Sequence, residues 1–514
     1  MKKKLFTLIW VTAVAYTASA QRFVTEVFPS YMVSSNIIYA NNISVFPPPT
    51  PTATDLRMDV YEPDGAPDTM TKRPLIIFMH TGSYLPPYIN ETPTGSRHDS
   101  AAVEICSRFA RRGYVVASID YRLGWNPAGS NVDIRRGTLL NAVYRSVQDA
   151  KAAVRFFRKD AATLNIYQID STKIILGGQG TGGYVAVNYA VLNDPAQITL
   201  PKFISNITDP NYGFVQGQPY VNQAALGDYD GYGGIPLLNN PNNSPGYGND
   251  VQFVFNLGGA LGDSSWLKAG AAPMVAFHVT SDPFAPYGNG IVYVPGNPPQ
   301  SVVDVSGSGV FIARANELGN NACFENNTFN DVYTQRANAV NGGEEGLFPL
   351  ITSTSPQAGP WEWFDSTTTV MGAIAVGKTA AEGTTIYNNA KLTNPDMSKA
   401  KAMAYIDTIM GYLNPRIAMC LNLLPTGIKD LAAQDKSIEI YPNPVRDFLT
   451  VRTSLQDNRI ISIHITDMTG RTVQSLTKVN ASTITLRDQR MAPGMYLISV
   501  HTTKGKLTKK LVIH

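Results

Sequence analysis

The spacing of apolar positions changes along the chain, and each change marks an element. "DLRMDVYEP" alternates apolar and polar side chains and predicts a half-buried strand. "PLIIFMHTG" is an unbroken apolar run ending at glycine, the pattern of a strand covered on both faces. Helical spacing follows over about residues 99–111, and "YVVASIDYR" then predicts a strand. Val143, Val147, Ala150, Val154 and Phe157 share one face of a long helix over about residues 138–160. "KIILGG", "VQFVFNLGG" and "PMVAFHVTSD" add three strands, and a helix over about residues 397–413 closes the segment. Strands alternating with helices predict the α/β class, with a doubly wound, mostly parallel sheet.

Periodicity fails in four places. Residues 21–50 form an extended lead-in whose prolines, in "FPPPTPTAT", exclude a helix or a central strand. Insertions are expected at about residues 200–250, rich in Gly, Asn, Pro and Tyr, and at about 288–370. "DYDG" in the first lacks the remaining ligands of a calcium loop and reads as a solvated turn. The fourth break, a linker at 426–437, ends an α/β domain expected over 21–425. From residue 438 to 514 the pattern is short strands with turns every eight to twelve residues, an antiparallel β-sandwich.

Composition narrows the classes. A chain of 514 residues exceeds one ordinary domain, and 44% hydrophobic content supports a large core. The net charge of +3 is spread thinly, and no basic run is interleaved with aromatics, which excludes nucleic acid as a partner. "MKKKLFTLIWVTAVAYTASA" has the charged start, short apolar run and small-residue end of a signal peptide over residues 1–20. No other run is apolar enough for a transmembrane segment, so none is expected in the mature chain. Of the three cysteines, Cys106 shares a helical face with Val103 and Phe109 and reads as core. Cys323 and Cys420 remain for a disulfide, and the sequence leaves open whether they pair.

The candidate chemistry centres on "ILGGQGTGGYVAV". Strand, glycine-rich turn and small-residue helix give the frame of a nucleophile elbow, G-x-S-x-G. Its five positions are Gly178, Gln179, Gly180, Thr181 and Gly182, so glycine stands at the tip. The elbow strains its central residue, and glycine tolerates that conformation. Thr181 is one residue off the apex, where its side chain points elsewhere. No cofactor or metal is implied.

Taken in order, "LRMDVYEP", "RPLIIFMHTGS", "RRGYVVASIDYRLG", "DAKAAVRFFR", "IILGGQGTGG", "NLGGALGD" and "HVTSDPFAPY" resemble the α/β-hydrolase superfamily. The branch resembled is that of secreted carboxylesterases, feruloyl esterases and polyester depolymerases. The resemblance covers roughly residues 35–420. It implies an oxyanion hole from the backbone of Gly82, Ser83 and Thr181, and it makes Asp282 the acid of the triad. Gly180 stands at the nucleophile position. "QAGPWEWF" has Ala358 where relatives carry a base histidine. The C-terminus resembles the type A sorting domain of the Bacteroidetes type IX secretion (Por) system. Tyr441, Pro442, Asn443 and Pro444 carry its first motif, Gly470 its second, and Gly494 and Tyr496 its third. This implies the type IX secretion machinery as a partner and an extracellular or outer-membrane-surface location.

Three functions follow as expectations. One is a pseudoenzyme, since loss of a triad nucleophile costs ~10⁶-fold in rate. The second is an ester hydrolase with an unconventional site. The third is an adhesin or surface-layer component. The ligand, an ester, a glycan or another surface molecule, is not specified by the sequence.

Overall fold

Eight strands of the larger unit pair into one sheet, and their order follows from which runs are apolar on both faces. The structure is a computed structural model describing residues 22–48, 50–294, 298–325, 329–424, 438–453, 458–467, 471–477, 479–487, 491–503 and 505–513. The expected signal peptide, the linker and Gly470 lie outside the described residues. The chain divides into two compact units, Met1–Leu423 and Leu424–His514.

In chain order the first unit carries β1 (Ser30–Ser44), β2 (Thr52–Asp64), β3 (Arg73–Met79), α1 (Ser100–Arg111), β4 (Val115–Ile119), α2 (Val132–Ala162), β5 (Ile169–Gln179) and α3 (Thr181–Tyr189). After these come β6 (Phe253–Leu257), β7 (Met274–Val279), β8 (Asn289–Val294), β9 (Gln300–Ser306), α4 (Ser308–Glu317) and α5 (Val332–Asn338). The unit ends with β10 (Leu347–Leu350), α6 (Ser366–Ala375), α7 (Ala380–Leu392) and α8 (Lys399–Cys420). The sheet order is β1-β2-β4-β3-β5-β6-β7-β10. β2 runs antiparallel to both β1 and β4, and the remaining pairs are parallel.

β3 is buried at every position because helices cover both faces of the sheet there. On one face Phe109 of α1 packs on Phe255, and Tyr412 of α8 packs on Phe277, with ring centroids 5.8 and 5.6 Å apart. On the other face, α3 lies so close that a Cβ on Gly182 would overlap the Met79 carbonyl.

Three departures from the sequence pattern have local causes. The lead-in is not merely extended: β1 pairs with β2 along most of its length. α2 begins at Val132 rather than near 138, because the Asn131 side chain caps it by accepting from Ile134 N at 3.0 Å. The stretch expected to be an irregular insertion at 288–370 contains the β8–β9 hairpin, α4, α5 and β10, the last strand of the sheet. β10 has only four residues, too few to express a period.

The stretch over 200–250 carries only short helical turns. Side-chain amides fix it to β1: Asn41 N donates to Asn243 Oδ1 (3.0 Å) and Asn42 Nδ2 to Asn239 Oδ1 (3.2 Å). In "DYDG", Asp228 Oδ1 accepts from the amides of Asp230 and Tyr232, and Asp230 pairs with Lys151 at 2.8 Å. Cys323 and Cys420 form a disulfide, and Cys106 is buried as a free thiol.

The second unit is a sandwich of β11 (Ile438–Tyr441), β12 (Phe448–Thr453) and β15 (Thr483–Arg487) against β13 (Ile460–Asp467), β14 (Thr472–Leu476), β16 (Gly494–Thr502) and β17 (Gly505–Ile513). Asn443 follows β11 and locks it to β17: its Nδ2 donates to Lys510 O and its Oδ1 accepts from Val512 N, both at 2.9 Å. The Tyr496 hydroxyl donates to Ala492 O at 2.8 Å.

Candidate functional site

The site begins at the turn between β5 and α3. Gly180 sits there at φ 53°, ψ −119°, a left-handed apex that ordinary side chains avoid. The turn is sharp enough that a Cβ on Gly178 would strike the backbone of Gly182. These glycines therefore have a steric reason that does not depend on catalysis.

The loop after β3 lies over the apex. A Cβ placed on Gly180 would overlap Thr81 Oγ1 and stand 2.9 Å from Thr81 Cβ. Thr81 thus occupies the space into which a nucleophile at position 180 would project. Gly82 and Ser83 follow at φ 132° and 55°, and Gly82 packs on Gly95. The Thr181 side chain is committed elsewhere. Tyr121 gives its single hydroxyl hydrogen to His80 O (2.8 Å), so the Thr181 hydroxyl donates to Tyr121 Oη at 3.0 Å.

Asp282 lies just past β7 with its side chain 5% exposed. Its Oδ1 accepts from the amides of Phe284 (2.8 Å) and Ala285 (3.1 Å). Burial nevertheless raises its carboxyl to about 7, partly offset by those two bonds. The nearest imidazole, His278, is fully occupied. Its Nε2 donates to Ala285 O (3.0 Å), and its Nδ1 accepts from Ser308 Oγ (2.7 Å). Burial pushes it down to about 4, so it stays neutral. His80 is buried, with Nδ1 bonded to Thr81 O, and burial lowers it as well. His98, the remaining histidine of this unit, bonds Asp59 Oδ2 at 2.9 Å. None of the three has a nitrogen hydrogen-bonded to Asp282 or to a hydroxyl of the elbow among the described residues.

The loop with the candidate lost-base position is held by Asn394. Its Oδ1 accepts from Gln357 Nε2 (2.9 Å), and its Nδ2 donates to Glu362 O (3.2 Å). Ala358 N donates to Thr393 O at 2.9 Å. The residues of this loop that reach the acid are Trp361 and Glu362. The Trp361 ring and Asp282 Oδ2 flank the same point above Gly258, and Glu362 lies within the field of both Asp282 and Asp99. Asp99, which precedes α1, accepts from Gly95 N (2.8 Å) and Ser96 N (3.1 Å) through Oδ2. Burial raises Asp99 to about 7 and, with the neighbouring charges, Glu362 to about 8. Sequence reading placed Thr81 only in the turn after β3, not at the apex, and missed Asp99 and Glu362. The one available signal was an acidic residue between two tryptophans, in "PWEWF".

A sheet in the order 1-2-4-3-5-6-7-10, a left-handed apex between β5 and α3, and a buried carboxyl after β7 define an α/β-hydrolase-fold protein. Residues 58–216 match the family described as BD-FAE, and residues 439–514 match the secretion system C-terminal sorting domain. The chain therefore joins an esterase-like α/β-hydrolase domain to a type IX secretion sorting domain, which directs export to the cell surface or the extracellular space. Among solved structures it is similar to Thermogutta terrifontis esterase 2 phosphorylated by paraoxon, with 20% identity over 51% of this chain and 74% of that one, at a TM-score of 0.29. It is also similar to the propionate-bound Est2 esterase of the same species, with 17% identity over 68% and 92% of the two chains and a TM-score of 0.35. No curated protein matches the chain. No helix among the described residues is long and apolar enough to cross a membrane.

Proposed function

We propose that the exported hydrolase-fold domain is non-catalytic and serves as a binding or surface-scaffold protein. The observation that carries this reading is the occupancy of the apex. Position 180 has no side chain, the Thr81 side chain fills its space, and no imidazole of this unit is hydrogen-bonded to Asp282 or to an elbow hydroxyl among the described residues. An acyl-transfer centre needs a nucleophile bonded to a base that an acid orients. Only the acid position, Asp282, retains a matching side chain. The test is hydrolysis of p-nitrophenyl acetate and butyrate, with fluorophosphonate labelling, on the purified chain. The expected result is no turnover above buffer and no label. Turnover that Asp282→Ala abolishes would overturn the proposal.

A second reading, an ester hydrolase with a displaced nucleophile, is favoured by one observation: Thr81 Oγ1 lies where a serine side chain at position 180 would stand. In that case Thr81→Val, which keeps the shape and removes the hydroxyl, abolishes turnover.

A further inference from the structure

A cavity of about 480 Å³ opens between the first residues of α1, α6 and α8, with α7 and the segment before α6 completing its wall. Its size falls in the range of ~300–1,000 Å³ typical of small-ligand sites. Gly180, Thr81 and Asp282 do not line it, so it is not the elbow itself. The wall is aromatic: Trp363 and Phe364, just before α6, and Tyr387 of α7 are half-buried. Two neighbours hold the Tyr387 ring. Phe364 meets it edge to face with centroids 5.9 Å apart, and Lys391 Nζ stands 5.7 Å from its centroid. Neither the Trp363 indole N–H nor the Tyr387 hydroxyl has a hydrogen-bond partner among the described residues.

The rim is polar, and its charges cancel. Ser100 opens α1, Ser366 opens α6, and Ser398 caps α8 by accepting from Lys401 N at 3.2 Å. One carboxylate stands there, Asp365, whose Oδ1 accepts from Thr368 N at 2.8 Å. One ammonium stands there too, Lys399, which forms no ion pair among the described residues. Both are exposed. An anion seated here would be drawn by Lys399 and repelled by Asp365, and a cation the reverse, so neither sign is selected. A wholly apolar ligand would use the rings but strip water from hydroxyls and charges without replacing it. What satisfies both wall and rim is a neutral molecule with an apolar face and hydroxyls around its edge. A pyranose ring has that form: its C–H bonds meet the negative face of an aromatic ring, and its hydroxyls both donate and accept.

Building on the non-catalytic, binding reading, we infer that this cavity is a carbohydrate site that takes a neutral pyranose of a glycan chain. Trp363 and Tyr387 supply the stacking surface. The Asp365 carboxylate accepts from ligand hydroxyls, the Lys399 ammonium donates to them, and the free indole N–H and tyrosine hydroxyl add two further handles. The exposed rim leaves the cavity open to solvent, so a sugar within a longer chain can enter it.

The test is calorimetric titration of the purified full chain with neutral hexasaccharides of cellulose, xylan, mannan, laminarin and starch. The galacturonate and glucosamine hexamers, acidic and basic chains of the same length, serve as comparators. We expect saturable binding of at least one neutral chain, with both charged comparators at least about tenfold weaker, the equivalent of 1.4 kcal/mol. Trp363→Ala should weaken that binding by about tenfold or more, as removal of an aromatic anchor does. Lys399→Ala, at an exposed position without an ion pair, should weaken it by about threefold to tenfold and leave the thermal unfolding midpoint in place. If Trp363→Ala does not fold, Lys399→Ala decides alone. No binding by any neutral chain, equal or tighter binding of a charged comparator, or binding that the folded variants leave unchanged overturns the carbohydrate site. Ester turnover is measured on the same samples. Its appearance would overturn the non-catalytic reading, while the titration still judges the carbohydrate site on its own.

Discussion

Placing serine at the apex should damage the fold before it supplies any chemistry. In Gly180→Ser the new Cβ must enter a backbone at φ 53° and a space already held by Thr81. The left-handed conformation costs a non-glycine residue ~1 kcal/mol or more, and overpacking in a filled site costs ~1–3 kcal/mol. The sum is ~2–4 kcal/mol. In a domain of this size that lowers the unfolding midpoint by several degrees, at about 2–4 °C per kcal/mol. The overlap is with the Thr81 hydroxyl, and Thr81 Cβ also lies at 2.9 Å, so Thr81→Ala relieves part of the clash and Thr81→Gly all of it. A double-mutant cycle on Gly180→Ser and Thr81→Gly should therefore show a favourable coupling of ~1–3 kcal/mol, far above the scatter for independent sites. Differential scanning fluorimetry on the four proteins measures it. The double variant should still hydrolyse p-nitrophenyl acetate poorly, because no imidazole of this unit is hydrogen-bonded to Asp282 or to an elbow hydroxyl among the described residues. Additive effects, or a Gly180→Ser variant as stable as the parent, would refute the placement of Thr81 at the apex and the functional reading built on it.

Two further outcomes follow from the same structure. Asp282 carries a folded-state pKa raised from 3.8 to about 7, so the native state binds more protons than the unfolded chain between those values. The contribution of Asp282 to stability should therefore be fullest at acid pH, fall as pH rises from about 4 to 7, and level off above. Asp282→Asn keeps an acceptor for the amides of Phe284 and Ala285 and removes the buried charge. It should exceed the parent by ~1.5 kcal/mol at pH 5 and by ~4 kcal/mol at most at pH 8, as read by urea unfolding at both pH values. An equal effect at both pH values would count against a buried, titrating carboxyl. The disulfide joins residues 97 apart, and replacing Cys323 and Cys420 together by serine should cost ~4–5 kcal/mol in the chain-entropy model, seen as a lower guanidinium midpoint than the oxidised parent.

Much of the fold was legible because burial leaves a periodic trace. The all-apolar β3, the alternating β2 and the helical face of α2 each announce how many sides of the element are covered. The glycines at 178, 180 and 182 announce a turn too tight for side chains. The position of Asp282 after an apolar strand was equally readable. β10 and the β8–β9 hairpin were not, because the first is too short for a period and the second is a half-exposed ribbon outside the main sheet.

By itself, the sequence determined the layered sheet, the elbow frame without its hydroxyl, and the export sandwich, since each depends on residues near one another along the chain. Only the tertiary structure decided what fills the apex and what surrounds it. Thr81 meets Gly180 across nearly a hundred residues, and Asp99, Asp282 and Glu362 come from three separate loops. Periodicity encodes which face of an element is buried, but it carries no information about which distant side chain shares the same few ångströms. That is set by how the sheet brings its strand ends together.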